Sequence, residues 1–394
     1  MRVCIVTTAF PRWPQDGRGT FILDAARAVQ ARGARVKVIA MHSPGAKTRE
    51  VIDGIEVIRP RYLWPERLEV LQKEGGGLPI MWRTSYLARL ALMPFSIVHT
   101  SAIARHAAEC DVIHANWTLS ATAAWVARVW RRRPLIVTVH GSDIYQATRL
   151  PFVGRLTRAL LHRCERVIAV SHSLAQAVIA LGLPQNHVEV VPDGIDIDRF
   201  RPPSQEREPL LLFVGSLIER KGLRHLIRAM PDVLGTHPEY RLAIVGDGPQ
   251  LPELRQLAQS VEVADRIDFV GAQTPSEVSR WMQRARLFVL PSVEEGLGVV
   301  LLEALACGTP CVAARVGGIP DLISTEVGLL VPPAEPTALV QAITTLLNNP
   351  DRWLKLSYSA RSQVVERYSW SVIASRLMQI YQTTMNSTTA EGRR

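Results

Sequence analysis

The sequence predicts an α/β protein built from two similar halves, each a doubly wound parallel sheet. Short apolar runs alternate with amphipathic stretches along both halves, as expected for buried parallel strands with helices on both faces. A chain of 394 residues suggests two or three domains, and an apolar content of 47% can supply two cores. Between the halves, the segment VPDGIDIDRFRPPS (residues 191–204) is rich in Asp, Gly and Pro, which is typical of a linker.

The first half begins with an apolar run at the N-terminus and ends before the linker. Its predicted strands are Val3–Val6, Val36–Ala40, Ile55–Arg59, Val112–His114, Leu135–Val139, Val167–Val170 and Val188–Val191. Its predicted helices are Thr20–Arg32, Leu119–Arg131, Leu150–Arg163 and Ser173–Leu181. Ser173 is a suitable N-cap, and Gly33 and Gly182 are suitable residues to end the helices before them.

The second half begins near Leu210 and has the same alternation. Its predicted strands are Leu210–Val214, Arg241–Val245, Ile267–Val270, Leu287–Leu290, Pro310–Ala313 and Gly328–Val331. Its predicted helices are Leu223–Leu234, Gln250–Gln259, Thr274–Arg284, Val299–Ala306, Pro336–Asn348 and Asp351–Glu366. The expected domains are therefore residues 1–195 and 196–369, followed by an apolar helix over 370–385 and a disordered tail over 386–394.

Targeting and redox signals favour a cytoplasmic location. The first apolar run breaks at Pro11, so we expect no signal peptide. No stretch of about 18 apolar residues is free of interruption, so we expect no transmembrane helix. The cysteines lack metal or redox spacing, and several lie in apolar runs, so buried reduced thiols are expected at Cys4, Cys110, Cys164, Cys307 and Cys311.

Positive charge is concentrated in the first half. Residues 1–200 hold 26 Lys/Arg and 16 Asp/Glu, whereas residues 201–394 hold 20 of each. The excess favours an anionic partner, although a generally arginine-rich proteome would give the same bias. The segment 61–106 mixes aromatic residues and arginines, which suits docking to an anionic membrane surface; ordinary acceptor-side helices are the alternative. No recognisable nucleic-acid module is present, so nucleic acid is not an expected partner.

The stretch LFVLPSVEEGLGVVLLEALACGTPCVAARVGGIPDLI, residues 287–323, is the most informative motif. Its pattern is strand, loop, helix, turn and strand, and glycines at the start of the helix let backbone N–H groups hold a diphosphate. Glu295 and Glu303 are eight residues apart, one in the loop and one on the second helical turn. They are too far apart to share a proton, so they are either two hydroxyl-binding clamps or solvated surface acids.

Three further clusters lie in loops that follow predicted strands, where α/β sheets bind ligands. His140 and Asp143 follow one strand of the first half and could bind a ligand there. Alternatively, His140 is a structural histidine and Asp143 caps the next helix. Arg220 and Lys221 precede a predicted helix, where two cations suit a diphosphate. Gly17 and Gly19 lie between the first strand and first helix and can place N–H groups against a ligand, unless this is an ordinary loop.

The 287–323 motif resembles that of the retaining nucleotide-sugar glycosyltransferases with the GT-B fold, the E-x7-E family (glycosyltransferase family 4-like, group 1). The similarity includes Glu295, Glu303, the Gly-Thr-Pro turn and the later GGIPDLI. It implies two Rossmann-like domains facing a cleft, with the last helix (370–385) packing back on the first domain. Nucleotide-sugar 2-epimerases share this fold and donor, so an isomerase, or a non-catalytic homologue that binds the same donor, remains an alternative.

The resemblance also implies roles for individual residues. The catalytic set is His140, which lies near the donor sugar, Glu295, which binds sugar hydroxyls, and Lys221, which neutralises the leaving diphosphate. The implied donor-diphosphate site comprises Gly17, Gly19, Gly215, Ser216, Arg220, Lys221, Gly296, Leu297, Gly298 and Val299. The implied nucleoside site comprises Gly246, Val270 and Glu303, and the acceptor side comprises Asn116, Trp117 and Asp143.

The expected reaction is retaining transfer of a hexose from a donor such as a UDP- or GDP-hexose to a saccharide or lipid-linked acceptor. The string GRGT-F resembles a subset that acts in bacterial surface polysaccharide synthesis. No cofactor and no metal are expected, and the acid-x-acid pattern Asp196-Ile-Asp198 is discounted because it lies in the linker. The chain departs from the family pattern at Ser216, where the family commonly has Arg, and at Asp193, where it usually has Asn. The location implied is cytoplasmic, peripheral on the inner face of the plasma membrane.

Overall fold

A computed structural model describes residues 1–71, 85–130 and 132–391. The chain divides into two compact units, and each contains one sheet. Unit 1 consists of Met1–Gly194 and Trp370–Arg394, and unit 2 of Ile195–Ser369. The change of unit at Gly194 and Ile195 falls in the segment that the sequence marked as a linker.

Unit 1 contains an eight-stranded sheet in the order β3-β4-β2-β1-β5-β6-β7-β8. All neighbouring pairs are parallel except the hairpin of β3 and β4. The strands are β1 Arg2–Thr7, β2 Arg35–Ala40, β3 Arg49–Ile52, β4 Ile55–Ile58, β5 Val112–Asn116, β6 Leu135–Val139, β7 Arg166–Ala169 and β8 Val188–Val190. The sequence prediction missed β3, because its Arg-Glu-Val-Ile has no apolar run and it pairs only at the edge of the sheet.

Helices cover both sides of this sheet. They are α1 Thr20–Ala31, α2 Tyr86–Ala107, α3 Thr118–Ala127, α4 Ser142–Arg149, α5 Pro151–Leu161, α6 His172–Ala180 and the C-terminal helix, numbered α14, Trp370–Glu391. α1 and α14 pack together against a core that includes Ile5, Val38 and Tyr381. The last helix is therefore part of unit 1, as the family resemblance implied.

Unit 2 contains a six-stranded, fully parallel sheet in the order β11-β10-β9-β12-β13-β14. The strands are β9 Leu210–Val214, β10 Arg241–Val245, β11 Ile267–Gly271, β12 Leu287–Leu290, β13 Cys311–Ala314 and β14 Gly328–Val331. The helices are α7 Leu223–Thr236, α8 Leu251–Ser260, α9 Pro275–Arg284, α10 Val299–Ala306, α11 Ile319–Leu322, α12 Pro336–Leu347 and α13 Pro350–Arg367. The fold class predicted from sequence, two doubly wound α/β domains, is confirmed.

Three local predictions are wrong. The N-cap of α6 is Ser171, whose hydroxyl accepts a 3.2 Å hydrogen bond from the Leu174 N–H, so the helix begins before Ser173. α14 continues to Glu391, so residues 386–391 of the expected disordered tail (386–394) are helical. Helix α4 was not predicted, because Ser142-Asp143 looked like loop sequence and in fact forms the first turn of that helix.

Helix α2 lies in segment 61–106, for which helices were one of two interpretations and no bounds were predicted. It has the length and composition of a membrane-crossing helix, since its most apolar 18-residue stretch has a mean hydropathy of 1.4. In the folded chain, 33% of that stretch is buried. Its inner stripe, including Ala88, Ala91 and Phe95, packs beside Met41 and Tyr62 in unit 1. Part of the segment 61–106, namely residues 72–84, lies outside the described residues.

Candidate functional site

The candidate site of unit 2 lies where the strand order reverses. β9 and β12 are neighbours in the sheet, and the chain leaves them toward opposite edges, which opens a crevice at their carboxyl ends. The loop after β9 carries Arg220 and Lys221, and the loop after β12 carries Glu295. The two predicted motifs of the second half therefore converge at one point.

Backbone contacts hold these two loops together. The Arg220 carbonyl accepts hydrogen bonds from the N–H groups of Val293 (2.8 Å) and Glu294 (3.3 Å). Gly222 has φ +64°, and a Cβ built on it would lie 2.1 Å from the Pro291 carbonyl oxygen. Only glycine allows this approach without displacing the β12 loop.

Lys221 and Glu295 form an ion pair in this crevice. The Lys221 Nζ donates to Glu295 Oε2, and both side chains are largely buried. Burial alone raises the pKa of Glu295, but the charge and hydrogen bond of Lys221, helped by Arg220 and the Gly296 N–H, outweigh it and leave the pKa below its ordinary value. Glu295 is therefore ionised at neutral pH and can only accept hydrogen bonds.

Helix α10 begins directly beside this pair. Its N-cap is Gly298 with φ +90°, and the Cβ position of Gly298 lies 3.5 Å from the Glu295 Cγ. The first-turn N–H groups of a helix attract anions. The side chain of Leu297 is buried, so this residue can contact a ligand only through its backbone groups. Glu303 lies on the second turn of α10, as its spacing from Glu295 predicted. Its side chain is half-buried.

The remaining residues of the unit 2 prediction lie on neighbouring loops. The Cβ position of Gly246 lies 2.0 Å from the Gly215 carbonyl oxygen, and that of Gly215 lies 3.9 Å from the Lys221 Cε. Gly215 and Gly246 thus let the loops after β9 and β10 touch beside the lysine. Ser216 is exposed and Arg220 is half-buried. Val270 is half-buried on β11 and lines a shallow surface concavity with Arg255 and Phe269.

The candidate site of unit 1 is centred on His140, at the carboxyl end of β6. Its Nε2 lies 3.0 Å from Asn116 Oδ1, at the end of the neighbouring strand β5. The ring of Trp117 is 4.5 Å from the imidazole, and that of Phe21 is 5.3 Å away and edge-on. His140 is thus held by one amide and two aromatic rings. Sequence reasoning missed Phe21, because an aromatic residue opening an amphipathic helix looks like an ordinary core residue.

Asp193 lies close to the same histidine. Its Oδ2 is 3.9 Å from His140 Nδ1, which is too long for a hydrogen bond. Burial raises the pKa of Asp193 to about 7, and burial with the nearby His114 lowers the pKa of His140 to about 3. At pH 6 both groups are therefore predominantly neutral and do not form an ion pair. A cavity of about 30 Å³, roughly the volume of one water, lies between them and α14.

His114 belongs to the core of unit 1. Its Nδ1 lies 2.7 Å from the Tyr381 hydroxyl on α14, and its Nε2 lies 2.7 Å from Thr138 Oγ1. Burial lowers the pKa of His114 to about 4. The histidine therefore joins the sheet to the C-terminal helix as a neutral hydrogen-bonding group.

Asp143 caps backbone N–H groups. Its carboxylate accepts hydrogen bonds from Gly141, Ile144 and Thr118, at 3.1–3.2 Å. Because Thr118 opens α3, the carboxylate joins the first turns of α3 and α4. Burial raises the pKa of Asp143 even though these N–H groups oppose the shift. Of the two functions considered from sequence, these contacts are those of the helix cap.

The loop after β1 is organised around Asp16. Its Oδ2 accepts from the Arg12 N–H (3.0 Å) and Nε (2.7 Å), and its Oδ1 accepts from the Arg18 N–H (3.3 Å). Gly19 has φ +60°, and its Cβ position lies 2.5 Å from the Ala9 carbonyl oxygen, so glycine is required there for packing. The Cβ position of Gly17 has open space around it. The i,i+4 spacing of Arg12 and Asp16 could have revealed this turn.

The acid-x-acid pattern of the linker forms a turn. Asp196 accepts hydrogen bonds from the N–H groups of Asp198 and Arg199, as in a turn that an Asp side chain stabilises. Within the described residues, no group of three or more His, Cys, Asp or Glu side chains is arranged to hold a metal ion.

Comparison with known proteins assigns the chain to a family. Residues 194–363 match the family described as "Glycosyl transferases group 1", and residues 16–199 match "Glycosyltransferase Family 4". The chain is 31% identical to a phosphatidyl-myo-inositol mannosyltransferase of Mycobacterium leprae over 382 residues, which is 94% of each chain.

Solved structures show the same fold. Sucrose-phosphate synthase from Thermosynechococcus elongatus superposes with a TM-score of 0.81 at 24% identity, covering 98% of this chain and 99% of that one. The Anabaena protein HepE, in complex with UDP-glucose, superposes with a TM-score of 0.75 at 20% identity, covering 97% and 100%. The chain therefore belongs to the group 1, family 4 glycosyltransferases of the GT-B fold and is a glycosyltransferase.

Proposed function

We propose that this enzyme transfers a hexose from a nucleoside-diphosphate sugar to a hydroxyl of a saccharide or lipid-linked acceptor, with retention at the anomeric carbon. The observation that carries the proposal is the Lys221–Glu295 ion pair beside the N-terminus of α10. A cation, a carboxylate and free helical N–H groups at one point match the diphosphate and the sugar of one donor.

The cation and the helix serve the leaving group. As the bond from the anomeric carbon to the phosphate oxygen breaks, negative charge grows on the diphosphate. Lys221 and the N–H groups that open α10 stabilise that charge before and after the bond breaks. Arg220 adds positive potential here, since its charge already acts on Glu295. In this way it compensates for Ser216, which stands where the family commonly has arginine.

Glu295 binds the sugar without donating a proton. Its lowered pKa leaves a carboxylate at neutral pH, and a carboxylate accepts hydrogen bonds from sugar hydroxyls. A general acid would need the opposite shift. The site therefore fits a substitution in which the departing phosphate assists the acceptor hydroxyl on the same face of the sugar, which retains the anomeric configuration.

His140 is proposed to contact the donor sugar as a neutral group. Its pKa of about 3 keeps the imidazole uncharged, so it positions a hydroxyl by hydrogen bonding and adds no positive charge. Asn116 and the two flanking rings fix its orientation. The acceptor side is proposed to include Asn116 and Trp117, while Asp143 supports the backbone beneath them.

The donor and acceptor classes are proposed from the relatives. HepE was crystallised with UDP-glucose, and the Mycobacterium leprae relative is named for mannosyl transfer to phosphatidyl-myo-inositol. A UDP- or GDP-hexose donor and a lipid-linked acceptor in glycolipid or surface polysaccharide synthesis follow by analogy, with no metal required. All five cysteines are buried free thiols, which supports the proposed cytoplasmic location.

The test combines donor binding and transfer. A panel of UDP- and GDP-hexoses is screened for an increase in melting temperature, because a ligand that binds only the folded form stabilises it. Lys221→Met and Glu295→Gln are each expected to lower the transfer rate by about 10²-fold or more, as for loss of a group that stabilises developing charge. The anomeric configuration of the product is read by NMR.

The control is another ion pair of unit 2. Arg284 and Glu208 are paired at 2.7 Å but are about half exposed, so Glu208→Gln should leave transfer unchanged. Full activity of Lys221→Met or Glu295→Gln, or a product with inverted configuration, contradicts the proposal. Conversion of the donor alone into an epimer, with no transfer, would identify an isomerase instead.

A further inference from the structure

Three helices of unit 1 form a layer on one side of its sheet. α2, α3 and α5 precede β5, β6 and β7, and these strands follow one another in a single direction across the sheet. Right-handed crossovers in one direction put their helices on the same side. α3 packs against both α2 and α5, so the three are neighbours.

The outward surface of this layer is apolar where a solvated helix would be polar. On α2, the exposed side is apolar: Tyr86, Leu90, Met93 and Ile97 follow one another at three- or four-residue spacing on one face of the helix. Met93, for example, is 72% exposed. Its inward stripe is separately buried in unit 1. α2 is therefore apolar on both sides, although only one side packs against protein.

The two neighbouring helices continue this pattern. Phe152 and Leu156 lie one turn apart on α5, and Phe152 is 71% exposed. Trp125 lies near the end of α3, and Val129, which follows that helix, is 80% exposed. We call this surface the basic helix face; it comprises the exposed arginines Arg89, Arg149 and Arg155 together with Tyr86, Leu87, Leu90, Met93, Ile97, Trp125, Val126, Val129, Trp130, Leu150, Phe152 and Leu156.

The charge of this region is strongly positive. Residues 85–164 contain ten arginines, no lysine and only three acids, so most of the positive excess of the first half lies here. These three acids have other partners, whereas Glu165, directly after this stretch, pairs with Arg128. Glu109 pairs with Lys37, Asp111 pairs with Arg2 at 2.8 Å, and Asp143 accepts backbone N–H groups.

We propose that the basic helix face is a docking surface for an anionic lipid bilayer. Apolar and aromatic side chains on one side of a helix layer can enter the boundary between headgroups and acyl chains, while flanking arginines bind lipid phosphates. The inner stripe of α2 stays packed in unit 1, so the chain lies on the membrane and does not cross it.

This surface goes beyond the hypothesis drawn from sequence. The sequence pointed to segment 61–106, whereas the face adds α3 and α5, and eight of the ten arginines of residues 85–164 follow residue 106. The inference rests in part on the proposed lipid-linked acceptor, since docking would bring unit 1 to a substrate held in the bilayer. Its test uses vesicles without sugars, so its failure is separate from failure of the proposed transfer.

Vesicle co-sedimentation tests the proposal. The full chain is mixed with vesicles of phosphatidylcholine alone and of phosphatidylcholine with phosphatidylglycerol. We expect at least tenfold tighter binding to the anionic vesicles, weakening as salt is added. Arg155→Glu should weaken that binding about 30-fold, because each charge near the surface contributes about fivefold and a reversal counts twice. The double variant Phe152→Ser/Leu156→Ser should weaken it about tenfold by removing buried apolar area.

Matched controls come from α13 in unit 2, which also exposes apolar residues but lies in the half without excess charge. Leu354→Ser/Tyr358→Ser and Lys355→Glu should leave vesicle binding unchanged. Circular dichroism verifies that every variant is folded. Equal binding to neutral and anionic vesicles overturns the proposal, as does unchanged binding of Arg155→Glu. A dimer that Phe152→Ser abolishes, without vesicle binding, would make this face a contact between copies of the chain.

Discussion

Unit 1 and unit 2 share a parallel-sheet design but bury polar groups in different ways. In unit 2 the buried Glu295 has a cation, Lys221, as its partner, and the pKa of the carboxyl stays low. In unit 1, Asp193 and His140 are buried as close neighbours, and both become neutral. The Lys221–Glu295 pair of unit 2 therefore keeps its charges near neutral pH, as does the largely buried Arg12–Asp16 pair of unit 1. Asp193 is neutral below about pH 7 and His140 above about pH 3, which makes the stability of unit 1 depend on pH.

The units can also be compared in the core and on the surface. Among the described residues of unit 2, His225 and His237 each have one buried ring nitrogen without a hydrogen-bond partner. Unit 1 buries His99 against the ring of Phe95, and within the described residues neither ring nitrogen has a hydrogen-bond partner. It also presents the basic helix face. Residues 201–394, which contain most of unit 2, have balanced charge. Three sets of substitutions can break or sharpen this comparison.

Asp193→Asn should give the largest effect on stability. The folded pKa of Asp193, about 7, is above its ordinary value of 3.8, so the folded form binds the proton more tightly. Stability therefore falls as pH rises from about 4 to 7, and the loss is complete above pH 7. The amide does not titrate, so the variant should be more stable than wild type at pH 8 by up to about 4 kcal/mol.

The measurement is calorimetric unfolding at pH 5 and pH 8. Most of the difference between Asp193→Asn and wild type should be absent at pH 5. Glu295→Gln in unit 2 is the counterpart, and it should show no gain at pH 8, because it removes an ionised partner of Lys221. A constant difference at both pH values for Asp193→Asn would contradict the assignment.

His99→Leu should stabilise unit 1 by a smaller amount. At pH 7 the gain is expected to be about 1–3 kcal/mol, the usual cost of burying unsatisfied polar atoms. Burial lowers the pKa of His99 to about 4, so the wild-type fold loses stability as pH falls from 6.5 toward 4. Leucine removes that loss, and the gain should grow on acidification.

Urea unfolding at pH 7 and pH 5 measures the effect of His99→Leu. The exposed His172 provides a control, and His172→Gln should not appreciably change the free energy of unfolding at either pH. If His99→Leu destabilises the chain at both pH values, the ring nitrogens must have partners and the contrast between the units would be weaker.

Helix caps should give the smallest effect, and they should not distinguish the units. Ser171 caps α6 in unit 1, and Asn349 caps α13 in unit 2. Ser171→Ala and Asn349→Ala should each cost about 1 kcal/mol, because each removes one hydrogen bond to the first turn. Neither side chain titrates, so equal costs at pH 5 and pH 8 are expected in thermal unfolding. A pH-dependent cap would show that the pH response does not come from the buried titratable groups.

Much of the fold was predictable because strands buried in parallel sheets leave a local signal. β6, β9, β10, β12 and β14 have the predicted bounds, since each is a short apolar run with turn residues nearby. β3 and α4 were missed because one is polar at a sheet edge and the other begins with Ser-Asp. The bounds of α2 were not predicted because it is apolar on both faces and so has no helical periodicity to detect.

The candidate site was predictable in part. The sequence alone determined its chemistry: glycines at the start of α10, Glu295 and Glu303 eight residues apart, and Lys221 after a strand. These are features of residue type and spacing within one segment. Only the tertiary structure decided that Lys221 and Glu295, 74 residues apart, form an ion pair, that Asp193 lies beside His140, and that three separate helices share one basic, apolar face. Such contacts depend on strand order and packing between distant segments, and local sequence spacing does not specify them.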